Sequence, residues 1–63
     1  SHAAHVRRMQ EFIDTHYAEP IALTRLSVFL GREKGYLGTL FRHSVGCSVR
    51  EYLAQVRVRR AAE

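Results

Sequence analysis

The sequence predicts an all-α domain, a small bundle of about four helices that contains a helix-turn-helix. Apolar residues recur at spacings of three and four along most of the 63-residue chain, as they do on one face of a helix. The stretch from Leu26 to Gly46 holds two short segments of this kind, separated by Gly31 and ended by the second glycine. Because helices this short are marginal alone in water, they must pack on further helices.

The first helix is predicted from about Ala4 to Tyr17. Pro20 ends this segment, since the residue before a proline is displaced from helical dihedral angles. His2 and His5 lie where the chain end is expected to fray. The apolar stripe of the helix consists of Val6, Met9, Phe12, Ile13, His16 and Tyr17.

Glycines delimit the next two helices. The second is predicted from near Leu23 to Gly31, and the third from roughly Glu33 to Ser44, with Gly46 just past its last turn. Ala22 and Glu33 stand at the starts of these two helices, and neither is a favoured N-cap residue. Both helices are therefore predicted to lack a strong N-cap.

A fourth helix is predicted directly after Gly46. Ser48 with Glu51 three residues later has the pattern of a capping box. The face of this helix continues to the chain end through Val49, Tyr52, Leu53, Val56 and Arg60. Because no glycine or proline ends the helix before Glu63, we expect the natural protein to continue.

The composition restricts the classes of function. A single cysteine, Cys47, excludes an internal disulfide, and the four histidines show no zinc-binding spacing. No nucleophile and base stand in a catalytic arrangement, so we expect no enzyme activity, no metal and no cofactor. Since the sequence lacks a signal peptide and an apolar run of transmembrane length, we expect a cytoplasmic protein.

Charge is unevenly distributed along the chain. The charges of residues 1–31 cancel, so residues 32–63 carry the whole excess of +4. This basic half begins at the turn of the predicted helix-turn-helix, which indicates that it faces an anion. A basic surface that serves only solubility is the alternative.

The second half of the chain also contains four runs that form a pattern. They are Tyr36-Leu37-x-x-Leu40-Phe41-Arg42, then Val45-Gly46-x-Ser48, then Glu51-Tyr52-Leu53 with Arg57-Val58-x-x-Ala61. With Pro20, Leu26 and Gly31, this pattern resembles the first helix-turn-helix and the linker helix of the AraC/XylS family of bacterial transcription regulators. The resemblance covers nearly the whole chain and implies a homeodomain-like fold.

The resemblance implies sequence-specific DNA binding. Residues 1–63 would be the N-terminal helix-turn-helix subdomain of an AraC-type DNA-binding domain, with the linker helix truncated at its C-terminus. Two such halves read neighbouring major-groove segments of double-stranded DNA in this family. The implied partners in the full-length protein are DNA, the second half, a ligand-binding domain and RNA polymerase, with no membrane. Arg57 is implied to bridge the linker helix to the bundle.

The resemblance places the base-facing positions on the third helix, at Gly35, Gly38 and Thr39, with Arg32 and His43 beside them. Each glycine inside a helix costs roughly 1 kcal/mol relative to alanine and offers no side chain to a base. Whether these glycines permit close backbone approach or have no role stays open at this point. Phosphate contacts are therefore expected to dominate, made by Lys34, Arg42, Ser48 and Arg50.

Two hydrophobic residues of the second helix suggest another function. Val28 and Phe29 stand where the family commonly has polar residues, so at least one is predicted to be exposed and to contact a partner. Burial in the core is the alternative for this pair. The competing function is a helical protein-protein interaction module that uses the basic face and these two residues.

Overall fold

The computed structural model describes residues 1–63, and its helices are joined by short turns with no β-strand. The helices are α1 (His2–His16), α2 (Leu23–Leu30), α3 (Lys34–Val45) and α4 (Val49–Ala61). The predicted all-α bundle of four helices is confirmed, with α2 and α3 as the two helices of a helix-turn-helix. No helix combines the length and the hydrophobicity that crossing a bilayer requires.

The N-terminal end of α1 differs from the prediction. The helix begins at His2 rather than near Ala4, because the Ser1 hydroxyl accepts a hydrogen bond of 3.2 Å from the Ala4 amide and caps the first turn. The frayed end predicted for His2 and His5 is therefore wrong. His5 Nδ1 and the Tyr36 hydroxyl also form a hydrogen bond of 2.9 Å, which ties the start of α1 to α3.

The core is formed by buried hydrophobic residues from all four helices and the segment before α2. Phe41 and Leu37 of α3 are fully buried, as are Met9 and Ile13 of α1. The predicted stripe of α1 is confirmed for Val6, Met9 and Ile13, while its other members are only partly buried. The ten buried residues are Val6, Met9, Ile13, Ile21, Leu26, Leu37, Phe41, Val49, Leu53 and Val56.

Glycines end α2 and α3 as predicted. Gly31 has φ 69° and its amide donates to the Ser27 carbonyl, while Gly46 has φ 93° and its amide donates to the Arg42 carbonyl. Only glycine adopts this left-handed conformation without strain, which allows the chain to reverse direction after each helix. Neither α2 nor α3 has a side-chain N-cap, which confirms the prediction for Ala22 and Glu33.

Polar contacts join α4 to the rest of the bundle. Arg57 Nε donates to the Tyr17 carbonyl at 2.8 Å and its Nη2 donates to the Glu19 carbonyl at 2.9 Å, so the expected bridge is confirmed. The Tyr52 hydroxyl donates to Asp14 Oδ1 at 3.3 Å. Partial burial, followed by the Asp14 carboxylate, raises the pKa of Tyr52. These contacts fix α4 against α1, next to the end of α3.

Candidate nucleic-acid interface

The outermost row of α3 is formed by Gly35, Thr39 and His43, which we call the α3 crest. The three residues are spaced four apart, so they lie in one row along the helix, and all three are exposed. An open groove runs along each side of the crest, and the crest residues line both grooves. The buried residues Leu37 and Phe41 hold the opposite face of α3 against the bundle.

The groove on the side of α2 and α4 is basic, and we call it the first flank. It collects the predicted phosphate ligands Lys34, Arg42 and Ser48 beside the crest. Its other walls come from Leu23 and Val49. Residues from three helices and the turn before α4 thus form one continuous surface. In the sequence, the only sign of this surface is that its basic residues follow one another along the chain.

Gly38 lies in the first flank and not on the crest. A Cβ atom built on Gly38 lies 3.0 Å from Leu23 Cδ1, whereas one built on Gly35 meets nothing within 4 Å. Gly38 is also partly buried, unlike Gly35. Gly38 therefore has a role in helix packing, because its missing side chain allows α2 to approach α3 closely at this position. Gly35 has no such neighbour and leaves the N-terminal end of the crest without a side chain.

The start of α4 contributes Ser48 to the first flank. The Ser48 hydroxyl accepts from the Glu51 amide at 3.1 Å, and the Ser48 amide donates to Glu51 Oε1 at 3.0 Å, which is the predicted capping box. The backbone hydrogen bond from Ser48, and then the bond to its side chain, lower the pKa of Glu51. The Glu51 carboxylate thus already occupies part of this helix N-terminus and interacts with the Ser48 side chain.

Two predicted site residues lie outside the first flank. Arg50 lines a neighbouring groove together with Ser48 and Arg57. Arg32 lies in the turn before α3, on the side of α1. Burial, followed by the nearby positive charge of Arg32, lowers the pKa of His5. The structure therefore gathers seven of the nine predicted base and phosphate ligands at one place and separates Arg32 and Arg50 from them.

The groove on the side of α1, which we call the second flank, includes a residue that sequence reasoning missed. Besides the crest, it is lined by His2 of α1 and by Tyr36, Leu40 and Ser44 of α3. The centroid of the His2 ring lies 5.8 Å from that of Tyr36. The signal that could have found His2 is Ser1, an N-cap residue type directly before it.

Val28 and Phe29 line neither flank of α3. Val28 is 79% exposed and Phe29 is 47% exposed, so the predicted exposure is confirmed. The Phe29 ring lies 4.6 Å from that of Phe12 between centroids, and the Arg8 guanidinium lies 5.1 Å from its centroid. Phe29 therefore packs against α1, while Val28 extends into solvent.

Comparison with known proteins finds a similar regulator. The "Msm operon regulatory protein" of Streptococcus mutans serotype c (strain ATCC 700610 / UA159) is 30% identical to this chain over 58 residues, which is 92% of the chain and 21% of that protein. The chain thus spans about a fifth of the length of this curated relative. No family model matches the chain, and no solved structure matches it significantly.

Proposed function

We propose that this chain is the first helix-turn-helix half of a bipartite, AraC/XylS-type DNA-binding domain in a bacterial transcription regulator. The resemblance of its motifs supports the family, and the similarity to an operon regulatory protein supports the regulatory role. The second half, a ligand-binding domain and RNA polymerase belong to this proposal as partners of the full-length protein. In this role the chain binds DNA and catalyses no reaction.

The observation that carries the proposal is the α3 crest with a basic groove beside it. An α-helix is about 10–12 Å wide with its side chains and the major groove of B-DNA is about 12 Å wide, so a helix enters with its outermost row toward the bases. Here that row is the crest, and Lys34 and Arg42 lie on one side of it. A crest inside the groove brings these two cations to the phosphate backbone.

The chemistry of the crest limits how strongly it reads sequence. Arg, Lys, Asn and Gln make the bidentate contacts that distinguish bases, at about 1–3 kcal/mol each. Thr39 and His43 provide only a methyl group, a hydroxyl and an imidazole, and Gly35 provides no side chain. In our proposal, affinity comes mainly from phosphates, and the second half of the domain supplies much of the sequence discrimination.

Salt dependence tests this proposal directly. Binding of the chain to a fluorescein-labelled 20-base-pair duplex is followed by anisotropy between 50 and 200 mM NaCl. The logarithm of the affinity should fall linearly with the logarithm of salt, at about −0.9 per phosphate contact. Lys34→Glu and Arg42→Glu should each weaken binding and reduce the steepness by about one contact.

The matched control is Arg59→Glu, which makes the same charge change on α4 outside both flanks. It should leave the slope nearly unchanged, because ions screen exposed charges beyond about 10 Å. Equal losses in all three variants would indicate a response to net charge alone and would refute the interface proposed here.

The exposed pair Val28 and Phe29 supports a second candidate, the protein-protein interaction module. The variant Phe29→Ser separates the two candidates, since this residue lies outside both flanks. If DNA is the ligand, Phe29→Ser should bind the duplex like the wild type. Binding that is insensitive to salt, and is unchanged in both Lys34→Glu and Phe29→Ser, would favour neither candidate.

A further inference from the structure

We infer that His2 is a phosphate ligand on the second flank of α3. With this contact, the chain binds both of the sugar-phosphate backbones that border the major groove. This inference rests on the proposed function. It adds a contact from α1, and it makes the strength of DNA binding depend on the protonation of an imidazole.

The argument begins with the width of the major groove. Since a helix nearly fills a groove of about 12 Å, both of its sides approach a sugar-phosphate backbone. The first flank meets one backbone with Lys34 and Arg42. On the second flank, α3 itself offers Tyr36, Leu40 and Ser44, none of which is a cation. The backbone on this side must find its positive partner outside α3.

Arg32, in the turn before α3, is on this side but does not line the second flank, whereas His2 in the first turn of α1 does. His2 is exposed and shares the second flank with Ser44 and the crest residue His43. Tyr36 lies beside His2, with 5.8 Å between the ring centroids. No aspartate or glutamate lines this groove. A protonated His2 therefore has no carboxylate partner in the second flank and is free to pair with a phosphate.

His2 is also held in place by its surroundings. The Ser1 hydroxyl caps the first turn of α1, and the hydrogen bond of 2.9 Å between His5 Nδ1 and the Tyr36 hydroxyl joins that turn to α3. The His5 ring packs edge-on against Tyr36, with 5.8 Å between centroids. Tyr36 is thus a positioning residue, which fixes the distance between His2 and the crest.

No carboxylate lines the groove at His2. The charged and titratable groups around it are His5, Arg8 and the N-terminal amine on the side of α1, Tyr36 and His43 of α3 across the groove, and Arg32 in the turn before α3. Histidine changes its charge between pH 5 and 8. Because DNA supplies the missing negative charge, duplex binding should favour protonated His2 and should strengthen from pH 8 to pH 6.

NMR titration of the chain with the 20-base-pair duplex tests the inference. The imidazole C–H signals of His2 are followed from pH 8 to pH 6, with and without DNA. The midpoint for His2 should move to higher pH in the presence of DNA. The salt slope of wild-type binding should be steeper at pH 6 than at pH 8, and His2→Gln should remove about 0.9 of that slope at pH 6.

The control variant is His16→Gln, since His16 is on the far end of the same helix, stacked on Phe12 at 4.2 Å between centroids. It should bind DNA like the wild type at both pH values. Tyr36→Phe keeps the ring but loses the hydrogen bond to His5. It should reduce the increase in DNA affinity between pH 8 and pH 6, and circular dichroism should show that the variant stays folded.

The outcomes separate this inference from the function on which it depends. If Lys34→Glu flattens the salt dependence but His2→Gln behaves like the wild type at pH 6, the second-flank contact is wrong and DNA binding stands. An unchanged His2 titration midpoint in saturating duplex would likewise overturn the second-flank contact alone. If Lys34→Glu has no effect, the proposed function itself fails.

Discussion

Gly35 and Gly38 occupy the same helix yet differ in what surrounds them. Gly38 lies where Leu23 approaches, with its Cδ1 only 3.0 Å from the position of a Cβ atom, while Gly35 faces open space. The sequence shows two helical glycines with the same conformational cost. It could not distinguish them, because the difference arises from a side chain on another helix. Helix packing therefore accounts for Gly38. Of the two glycines, only Gly35 lacks a packing role, so only Gly35 is a candidate for a role in DNA binding.

Alanine substitution should separate the two glycines. Gly35→Ala should raise the free energy of unfolding by about 0.5–1 kcal/mol, since it lowers the entropy of the unfolded chain and meets no neighbour. Gly38→Ala should raise the free energy of unfolding by less or not at all, because the Leu23 side chain must shift to make room for the methyl group. Urea unfolding of both variants measures the difference. A larger gain from Gly38→Ala would mean that α2 does not approach α3 as closely as described.

The helices of this chain begin in different ways. The first turn of α4 is closed by both hydrogen bonds of a capping box, whereas α2 and α3 begin without a side-chain cap. The pattern of Ser48 and Glu51 predicted the first case, and Ala22 and Glu33 predicted the second. The start of α1 was missed because Ser1 precedes the apolar stripe by a full turn, so periodicity alone placed the helix start too late.

Stability should follow these caps. Ser48→Ala should lower the free energy of unfolding by about 1 kcal/mol at pH 7, and Ala22→Ser, which supplies the missing cap of α2, should raise it by a similar amount. Urea unfolding at pH 7 measures both. Opposite signs are required, since the two changes remove and create the same kind of hydrogen bond.

The effect of Ser48→Ala should also depend on pH. The pKa of Glu51 is lower in the folded chain than the ordinary value of a glutamate, chiefly because the Ser48 amide donates to the carboxylate. Glu51 therefore adds stability at pH values above its unfolded pKa, and this contribution disappears as pH falls through the folded pKa. Since Ser48→Ala removes the side-chain part of this stabilisation, its cost should be smaller near pH 3 than at pH 7. An equal cost at both pH values would show that the carboxylate does not sense the cap.

At the scale of the whole molecule, the candidate interface depends on contacts between distant parts of the chain. Sequence reasoning found the ligands of the first flank because they follow one another from Lys34 to Ser48. It missed His2, which lies far from Tyr36 along the chain, because only the packing of α1 on α3 brings the two together. Local patterns thus sufficed for the helices and the crest, while the second flank required the complete fold.

The stability of the whole bundle should depend strongly on Phe41. Natural domains have about 0.05–0.15 kcal/mol of stability per residue, so a chain of this length has only several kcal/mol in total. Phe41 is fully buried, and Phe→Ala in a core costs about 3–5 kcal/mol. Phe41→Ala should therefore be largely unfolded at 25 °C by circular dichroism. The matched variant Phe29→Ala removes the same ring from a side chain that is 47% exposed, and it should remain helical with a smaller loss of thermal stability. If the two variants melted alike, α3 would not be anchored through Phe41, and the crest would lose the support that holds it outward.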